Sequence, residues 1–91
     1  MNTLEDLLAA DPSLLLVDDD AAFLSRLERA MTRRGFTVRT AGSVADGLAA
    51  VGEQPPAFAV VDLRLEDGNG LEVVSALHQK RPEAHAVVLT G

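Results

Sequence analysis

The chain has 91 residues, 47% of them hydrophobic and 24% charged, which is the composition of a globular domain and excludes a disordered or repetitive chain. Eight basic and 14 acidic side chains give a net charge of −6, which argues against a nucleic-acid-binding surface on this chain itself. The absence of cysteine excludes disulfides and thiolate metal sites and fits a cytoplasmic setting. No signal-peptide pattern and no apolar run of about 18–20 residues is present, so no membrane association is expected.

Residues 1–12 and 13–91 are predicted to be an N-terminal extension and a single domain. The extension ends at Pro12, which predicts one short helix that stops before the proline. Within the domain, short apolar or alternating runs predict strands of a few residues each. The four predicted strands are residues 13–17, 36–40, 57–61 and 85–89.

Three amphipathic segments between these strands predict helices. Asp20 and Ser43 are the expected N-caps of the first two, and Gly35 is expected to end the first. Leu48 and Val74 are expected on the core-facing sides of the second and third helix. The predicted helices are residues 20–34, 43–51 and 71–79, and a turn-rich loop is predicted over residues 66–70.

The predicted element order is β-α-β-α-β-α-β, and three of the strands are apolar on both faces. Strands of this kind lie in a parallel sheet that helices cover on both sides. Right-handed crossovers then predict a doubly wound α/β domain. Ligands of such domains bind at the carboxyl ends of the strands, where the strand order reverses.

Acidic side chains and one hydroxyl follow three of the predicted strands. Asp18 and Asp19 follow the first strand, Asp62 follows the third, and Thr90 follows the fourth. Crowded carboxylates raise one another's pKa unless a cation joins them, and oxygen-only ligands suit Mg²⁺ or Mn²⁺. The plainer alternative is that acids at strand ends cap helices, which is the role expected of Asp20.

Three sequence motifs lie at these strand ends: Leu14–Asp20, Val60–Leu65 with Gly70 eight residues beyond Asp62, and Val87–Gly91. Together they resemble the receiver domain of bacterial two-component response regulators. The resemblance covers residues 13–91 and implies a flavodoxin-like receiver fold. Residues 55–70 resemble one branch in particular, the RegA/PrrA/ActR-type redox regulators.

This resemblance implies that Asp62 accepts a phosphoryl group from a sensor histidine kinase, with Mg²⁺ as the cofactor. It implies that Asp19 and Asp62 bind the Mg²⁺ directly, together with the backbone carbonyl of Arg64. Asp18 would act mostly through metal-bound water, and Thr90 would be the switch hydroxyl that turns toward the phosphoryl group.

The resemblance also implies a cytoplasmic signalling module, which is not an enzyme although it assists its own phosphorylation and dephosphorylation. Such a module controls transcription through a DNA-binding output domain that lies outside these 91 residues. DNA contact is therefore expected only through that other domain.

The sequence departs from the family pattern in three places. Glu66 stands where proline is common, and Asn69 stands where many relatives have aspartate. The pattern also stops at Gly91, before the family's fourth helix, lysine-bearing fifth strand and fifth helix, and the single lysine, Lys80, does not match the catalytic lysine. We therefore expect a receiver that is incomplete at its C-terminus. Such a chain is expected to be either a fragment of a longer protein or a chain that associates with itself.

Two other functions compete with phosphoryl acceptance. A metal-dependent phosphatase with an aspartyl nucleophile usually needs a second carboxylate two residues later, where this sequence has Arg64. A receiver-like interaction or dimerisation module that is not phosphorylated stays open because the lysine is missing. Against it, the acid pair Asp18 and Asp19, the acceptor Asp62 and the hydroxyl of Thr90 are all present.

Overall fold

The computed structural model describes residues 3–90. Every helix and strand predicted from the sequence is present, with its ends within two residues of the expected positions. The elements are α1 (Leu4–Ala10), β1 (Ser13–Val17), α2 (Ala21–Arg33), β2 (Thr37–Ala41), α3 (Val44–Glu53), β3 (Phe58–Asp62), β4 (Arg64–Leu65), β5 (Gly68–Asn69), α4 (Leu71–Lys80) and β6 (His85–Leu89).

Four strands form one parallel sheet in the order β2-β1-β3-β6. Neighbouring residues of a strand point to opposite faces, so β1 contributes to two cores. Leu15 and Val17 pack with α3 and α4 on one face, and Leu14 and Leu16 pack with α2 on the other. The predicted doubly wound α/β arrangement is therefore confirmed.

The helix ends follow the expected capping chemistry. The Asp20 carboxylate accepts a hydrogen bond from the Phe23 N–H at 3.0 Å at the start of α2. The Ser43 hydroxyl accepts one from the Asp46 N–H at 3.0 Å at the start of α3. Gly35, with a φ of +100°, takes the left-handed conformation that glycine favours after the last turn of α2.

The core-facing side of α3 differs from the expected one. Leu48 is 37% exposed, so its predicted place in the core is wrong. Gly47 faces the core in its stead, and a Cβ there would lie 3.0 Å from Val73 and 3.4 Å from Val17. The missing side chain lets α4 approach α3 closely, and this packing turns Leu48 outward. Val74 of α4 is half-buried beside the fully buried Val73.

The predicted loop at residues 66–70 is partly a hairpin. Strands β4 and β5 pair antiparallel, with Arg64 opposite Asn69 and Leu65 opposite Gly68. Leu65 is buried in the core and holds the hairpin on the domain. The alternation of apolar and polar residues that marks a strand needs at least about four residues to be recognised. Strands of two residues are too short for this, so the sequence indicated only the turn.

The extension forms the short helix α1, which ends before Pro12 as predicted. Arg81, just after α4, ties the segment behind α1 to the domain. Its guanidinium lies 2.8 Å from the Asp11 carboxylate and also donates to the Pro55 carbonyl. Within residues 3–90, no helix has both the length and the apolar character that a membrane crossing requires.

Candidate functional site

The central strands β1 and β3 place acidic residues side by side at the carboxyl edge of the sheet. Val17 pairs in register with Val61, so the residues that follow them, Asp18 and Asp62, are neighbours across the two strands. The strand order reverses between β1 and β3, which is where ligands of doubly wound sheets bind.

Three carboxylates meet at this edge. One carboxylate oxygen from each of Asp18, Asp19 and Asp62 lies within 4.8 Å of the other two. An open depression of about 280 Å³ lies over the cluster, and Phe23 of α2 and Leu89 of β6 form its apolar walls. The structure thus brings together the three acids that the sequence placed at two separate strand ends.

Backbone hydrogen bonds orient two of these carboxylates. Asp18 Oδ1 accepts from the Asp20 N–H at 2.9 Å, and Asp62 Oδ1 accepts from the Arg64 N–H at 3.3 Å. Both bonds span two residues, the local turn that aspartate forms with its own backbone. In each carboxylate the oxygen that accepts is Oδ1. The N–H groups of the residues just after the strand ends therefore hold the two carboxylates in place.

The site disfavours the ionised form of the Asp18 carboxyl. Burial raises the pKa of the Asp18 carboxyl above its ordinary value, and the charges of Asp62 and Asp19 act in the same direction. The hydrogen bond from the Asp20 N–H opposes this shift. A divalent cation would relieve the repulsion, and an oxygen-only donor set matches hard cations such as Mg²⁺.

Thr90 lies at the same edge of the sheet but outside the acidic cluster. Asp62 pairs in register with Leu89, and the Leu63 N–H donates to the Leu89 carbonyl at 2.9 Å. Thr90 is the next residue and is exposed. Lys80 ends α4, a ten-residue helix that begins beside the site and extends about 15 Å away from it, so it is not a partner of Asp62.

Gly70 has a structural role that its place in the motif does not reveal. A Cβ at Gly70 would lie 2.0 Å from the Asp62 carbonyl oxygen and 2.7 Å from a Val61 methyl group. The Gly70 N–H also donates to the Leu63 carbonyl at 2.8 Å, which closes the loop at its base. Gly70 therefore lets the chain fold back directly onto the backbone of Asp62.

Asp67 is a residue that the sequence analysis missed. Its carboxylate accepts hydrogen bonds from the Val44 and Ala45 N–H groups at the start of α3, more than 20 residues earlier in the chain. An acid in a turn carries no local signal of such a partner. Only the folded chain brings this turn to α3.

Comparison with known proteins identifies the family. The family model of the response regulator receiver domain matches residues 14–91. The chain belongs to this family. Receiver domains are in general signalling modules rather than enzymes, and they bind a divalent metal at an acidic pocket like the one formed by Asp18, Asp19 and Asp62.

The predicted resemblance to RegA- and ActR-type regulators is confirmed as well. The chain is 63% identical over 84 residues to the photosynthetic apparatus regulatory protein RegA of Cereibacter sphaeroides, covering 92% of this chain and 46% of RegA. It is 55% identical over 86 residues to the acid tolerance regulatory protein ActR of Rhizobium meliloti, covering 94% and 44%. The chain thus spans about half the length of these curated relatives.

Solved structures confirm the receiver fold. A Burkholderia pseudomallei response regulator, whose crystal structure contains a phosphorylated aspartic acid, a calcium ion and citrate, superposes with a TM-score of 0.83 at 36% identity. The match covers 89% of this chain and 48% of that one. A CheY-like receiver from Methanospirillum hungatei has a TM-score of 0.81 at 30% identity, covering 87% and 63%.

Proposed function

We propose that Asp62 accepts a phosphoryl group from a phosphohistidine of a sensor histidine kinase, with Mg²⁺ as the cofactor. The observation that carries this proposal is the cluster of Asp18, Asp19 and Asp62 at the reversal point of the sheet. The phosphorylated aspartic acid and calcium ion of the Burkholderia pseudomallei relative support it.

The reaction makes a bond between an Asp62 carboxylate oxygen and phosphorus as the phosphorus–nitrogen bond of the donor breaks. The Arg64 N–H holds Asp62 Oδ1, which fixes the direction in which the carboxylate faces the depression. The cation, when bound, offsets the negative charge on the phosphoryl oxygens. Hydrolysis of the mixed anhydride then returns Asp62 to its free form.

The other predicted site residues have supporting roles in this proposal. Asp19, Asp62 and the backbone carbonyl of Arg64 would hold Mg²⁺ directly, and Asp18 would act mostly through a bound water. The Thr90 hydroxyl turns toward the phosphoryl group and starts the conformational switch. Through these groups the domain assists its own phosphorylation and dephosphorylation without being an enzyme for another substrate.

The biological setting belongs to the same proposal. Residues 13–91 form the receiver and residues 1–12 an extension in a cytoplasmic protein that does not associate with membranes. RegA and ActR are named as regulatory proteins, which supports control of transcription through an output domain outside these residues. With a net charge of −6, the 91-residue chain itself is not the DNA-binding surface.

We also propose that the 91-residue chain associates with itself. Among the described strands, β6 pairs with β3 alone, and its Val87 side chain is 56% exposed. An unpaired strand edge with an exposed apolar face favours association between copies. Light scattering on this chain should show a dimer or larger assembly, and a well-dispersed monomer would contradict the proposal.

Intact mass tests phosphoryl acceptance. Incubation with Mg²⁺ and a small phosphodonor such as acetyl phosphate should add about 80 Da, one phosphoryl group, to the wild-type chain. Asp62→Asn should add none, because the amide is not a nucleophile of this kind. Omission of Mg²⁺ should also prevent the gain.

Asp20→Asn is the matched control for this experiment. It removes a carboxylate at the same edge of the sheet but outside the cluster, and asparagine caps helices as well as aspartate does. This variant should gain the same mass as the wild type. A wild-type chain that gains no mass would favour the alternative, a receiver-like interaction module that is not phosphorylated.

A further inference from the structure

We infer that Asp67 is a positioning residue for the Asp62 site, because it ties the acceptor loop, residues 62–70, to the first turn of α3. This inference rests on the proposed function, since it concerns how the metal and phosphoryl site is held in shape.

Asp67 makes a two-pronged contact with α3. Its Oδ1 accepts from the Val44 N–H at 2.8 Å and its Oδ2 accepts from the Ala45 N–H at 3.0 Å. The next amide, that of Asp46, already has its partner in the Ser43 hydroxyl. The first three N–H groups of α3, which no residue within the helix can satisfy, are thus shared between a local cap and a residue from the acceptor loop.

Hydrogen bonds close the acceptor loop, and Asp67 lies at its tip. Asp67 lies in the turn between β4 and β5, and the Gly70 N–H closes the base of the loop on the Leu63 carbonyl. The β4 end of the hairpin supplies the Arg64 N–H that orients Asp62. Movement of the tip is therefore transmitted along the hairpin to the hydrogen bond that holds Asp62.

The α3 end of this contact lies close in the chain to a residue that binds Asp18, the first of the two acids after β1. The chain enters α3 from β2, whose last residue, Ala41, accepts a hydrogen bond from the Asp18 N–H at 3.1 Å. Asp67 consequently joins the loop that carries Asp62 to the segment that lies against Asp18. The cation site is made from the acceptor loop and from the acids after β1, against which the β2–α3 segment lies, so its width depends on this segment and the loop being held together.

The charge state of Asp67 suits this role. The hydrogen bond from Val44, followed by that from Ala45, holds the pKa of the Asp67 carboxyl below its ordinary value. Asp67 is therefore ionised at neutral pH, and its negative charge complements the positive end of the α3 dipole. Neighbouring Glu72 accepts a bond from the Asn69 N–H and steadies the same hairpin.

The test compares Asp67→Ala with Ser43→Ala in the 91-residue chain. Each variant removes an N-cap contact from α3, and each should lower the Tm by about 5 °C. Only Asp67→Ala removes the connection to the acceptor loop. It should weaken Mg²⁺ binding, measured by calorimetry, by about tenfold and slow the phosphoryl gain, whereas Ser43→Ala should leave both at wild-type values.

Two further variants separate position from charge. Glu66→Gln removes one negative charge beside Asp67 and leaves both α3 contacts in place, so its Mg²⁺ affinity should stay within about twofold of the wild-type value. Asp67→Asn keeps one oxygen acceptor and should restore part of the affinity that alanine loses; it also serves if the alanine variant does not fold.

The outcomes divide cleanly. Equal Mg²⁺ affinity and phosphoryl gain in wild type and Asp67→Ala, with a lowered Tm, would show that Asp67 is a helix cap alone and would overturn the inference. An affinity loss of the same size in Glu66→Gln would assign the effect to charge and overturn it too. A wild-type chain that neither binds Mg²⁺ nor gains mass would overturn the proposed function, and this inference with it.

Discussion

Gly70→Ala is expected to destabilise the chain by about 1–3 kcal/mol or more, because the added methyl group has no space. A Cβ at this position would lie 2.0 Å from the Asp62 carbonyl oxygen and 3.0 Å from its carbonyl carbon. The obstacle is backbone, which cannot rotate away as the end of a long side chain can. The Gly70 backbone angles, φ −59° and ψ −20°, suit any residue, so lack of space alone excludes alanine.

The displacement should also damage the site. Relief of the overlap requires the β3 end or the start of α4 to move, and Asp62 is the last residue of β3. Urea unfolding should therefore give a lower midpoint for Gly70→Ala, and the mass experiment should show slower phosphoryl gain in the fraction that stays folded.

Gly52→Ala provides the matched control. Gly52 lies in α3, is exposed, and has no atom within 4 Å of an added Cβ. Alanine there should be neutral or should stabilise the chain by up to about 1 kcal/mol, since glycine is a poor helix former. A Gly70→Ala variant with the same urea midpoint as the wild type would contradict the close approach to Asp62.

The sequence predicted what depends on residues close together in the chain. Apolar runs ending in acids predicted β1 and β3, and the parallel order then predicted that Asp18 and Asp62 meet at one edge of the sheet. The caps Asp20 and Ser43 were also predictable, because each partner lies three residues away. These features follow from local chemistry together with one rule about sheets.

Features that depend on contacts between distant segments were not predictable in this way. Hydrophobic periodicity favoured Leu48 for the core because a glycine adds nothing to an apolar pattern, yet Gly47 is the residue that packs against α4. Asp67 is read locally as an acid of a turn, since its partners on α3 lie more than 20 residues away. Both cases concern how elements pack, which is decided only when the chain folds.

Asp18→Asn is expected to stabilise the metal-free chain and, at the same time, to weaken its binding of Mg²⁺. Burial and the charges of the neighbouring acids raise the pKa of the Asp18 carboxyl, so its ionisation is harder in the folded chain than in the unfolded one. Asparagine avoids this cost and keeps the oxygen that accepts the Asp20 N–H.

The sign of the pH dependence follows from linkage. A carboxyl with a raised pKa in the folded state lowers stability at every pH above that pKa, where it must be ionised. The penalty shrinks as the pH falls through the folded pKa and vanishes below the pKa of the unfolded chain. In EDTA, Asp18→Asn should therefore have the higher Tm at neutral pH, and its advantage should decrease as the solution is acidified.

Added Mg²⁺ should reverse the order of the two Tm values, so that the wild-type chain becomes more stable than Asp18→Asn. A ligand stabilises a fold in proportion to the logarithm of its concentration over its Kd. Loss of a group that orients a metal's direct ligands, the role proposed for Asp18, weakens affinity by about 10–100-fold. The wild-type Tm should thus rise with Mg²⁺ far more than that of Asp18→Asn, while Asp20→Asn should respond as the wild type does.

Opposite signs in the two conditions distinguish a functional site from a damaged fold. A substitution that simply disturbs packing lowers stability with or without the cation. Removal of a carboxylate that serves cation binding instead raises the stability of the metal-free chain and reduces the stabilisation that Mg²⁺ provides. If Asp18→Asn were less stable in EDTA, or equally responsive to Mg²⁺, the repulsion among Asp18, Asp19 and Asp62 would not be the cost of a cation site.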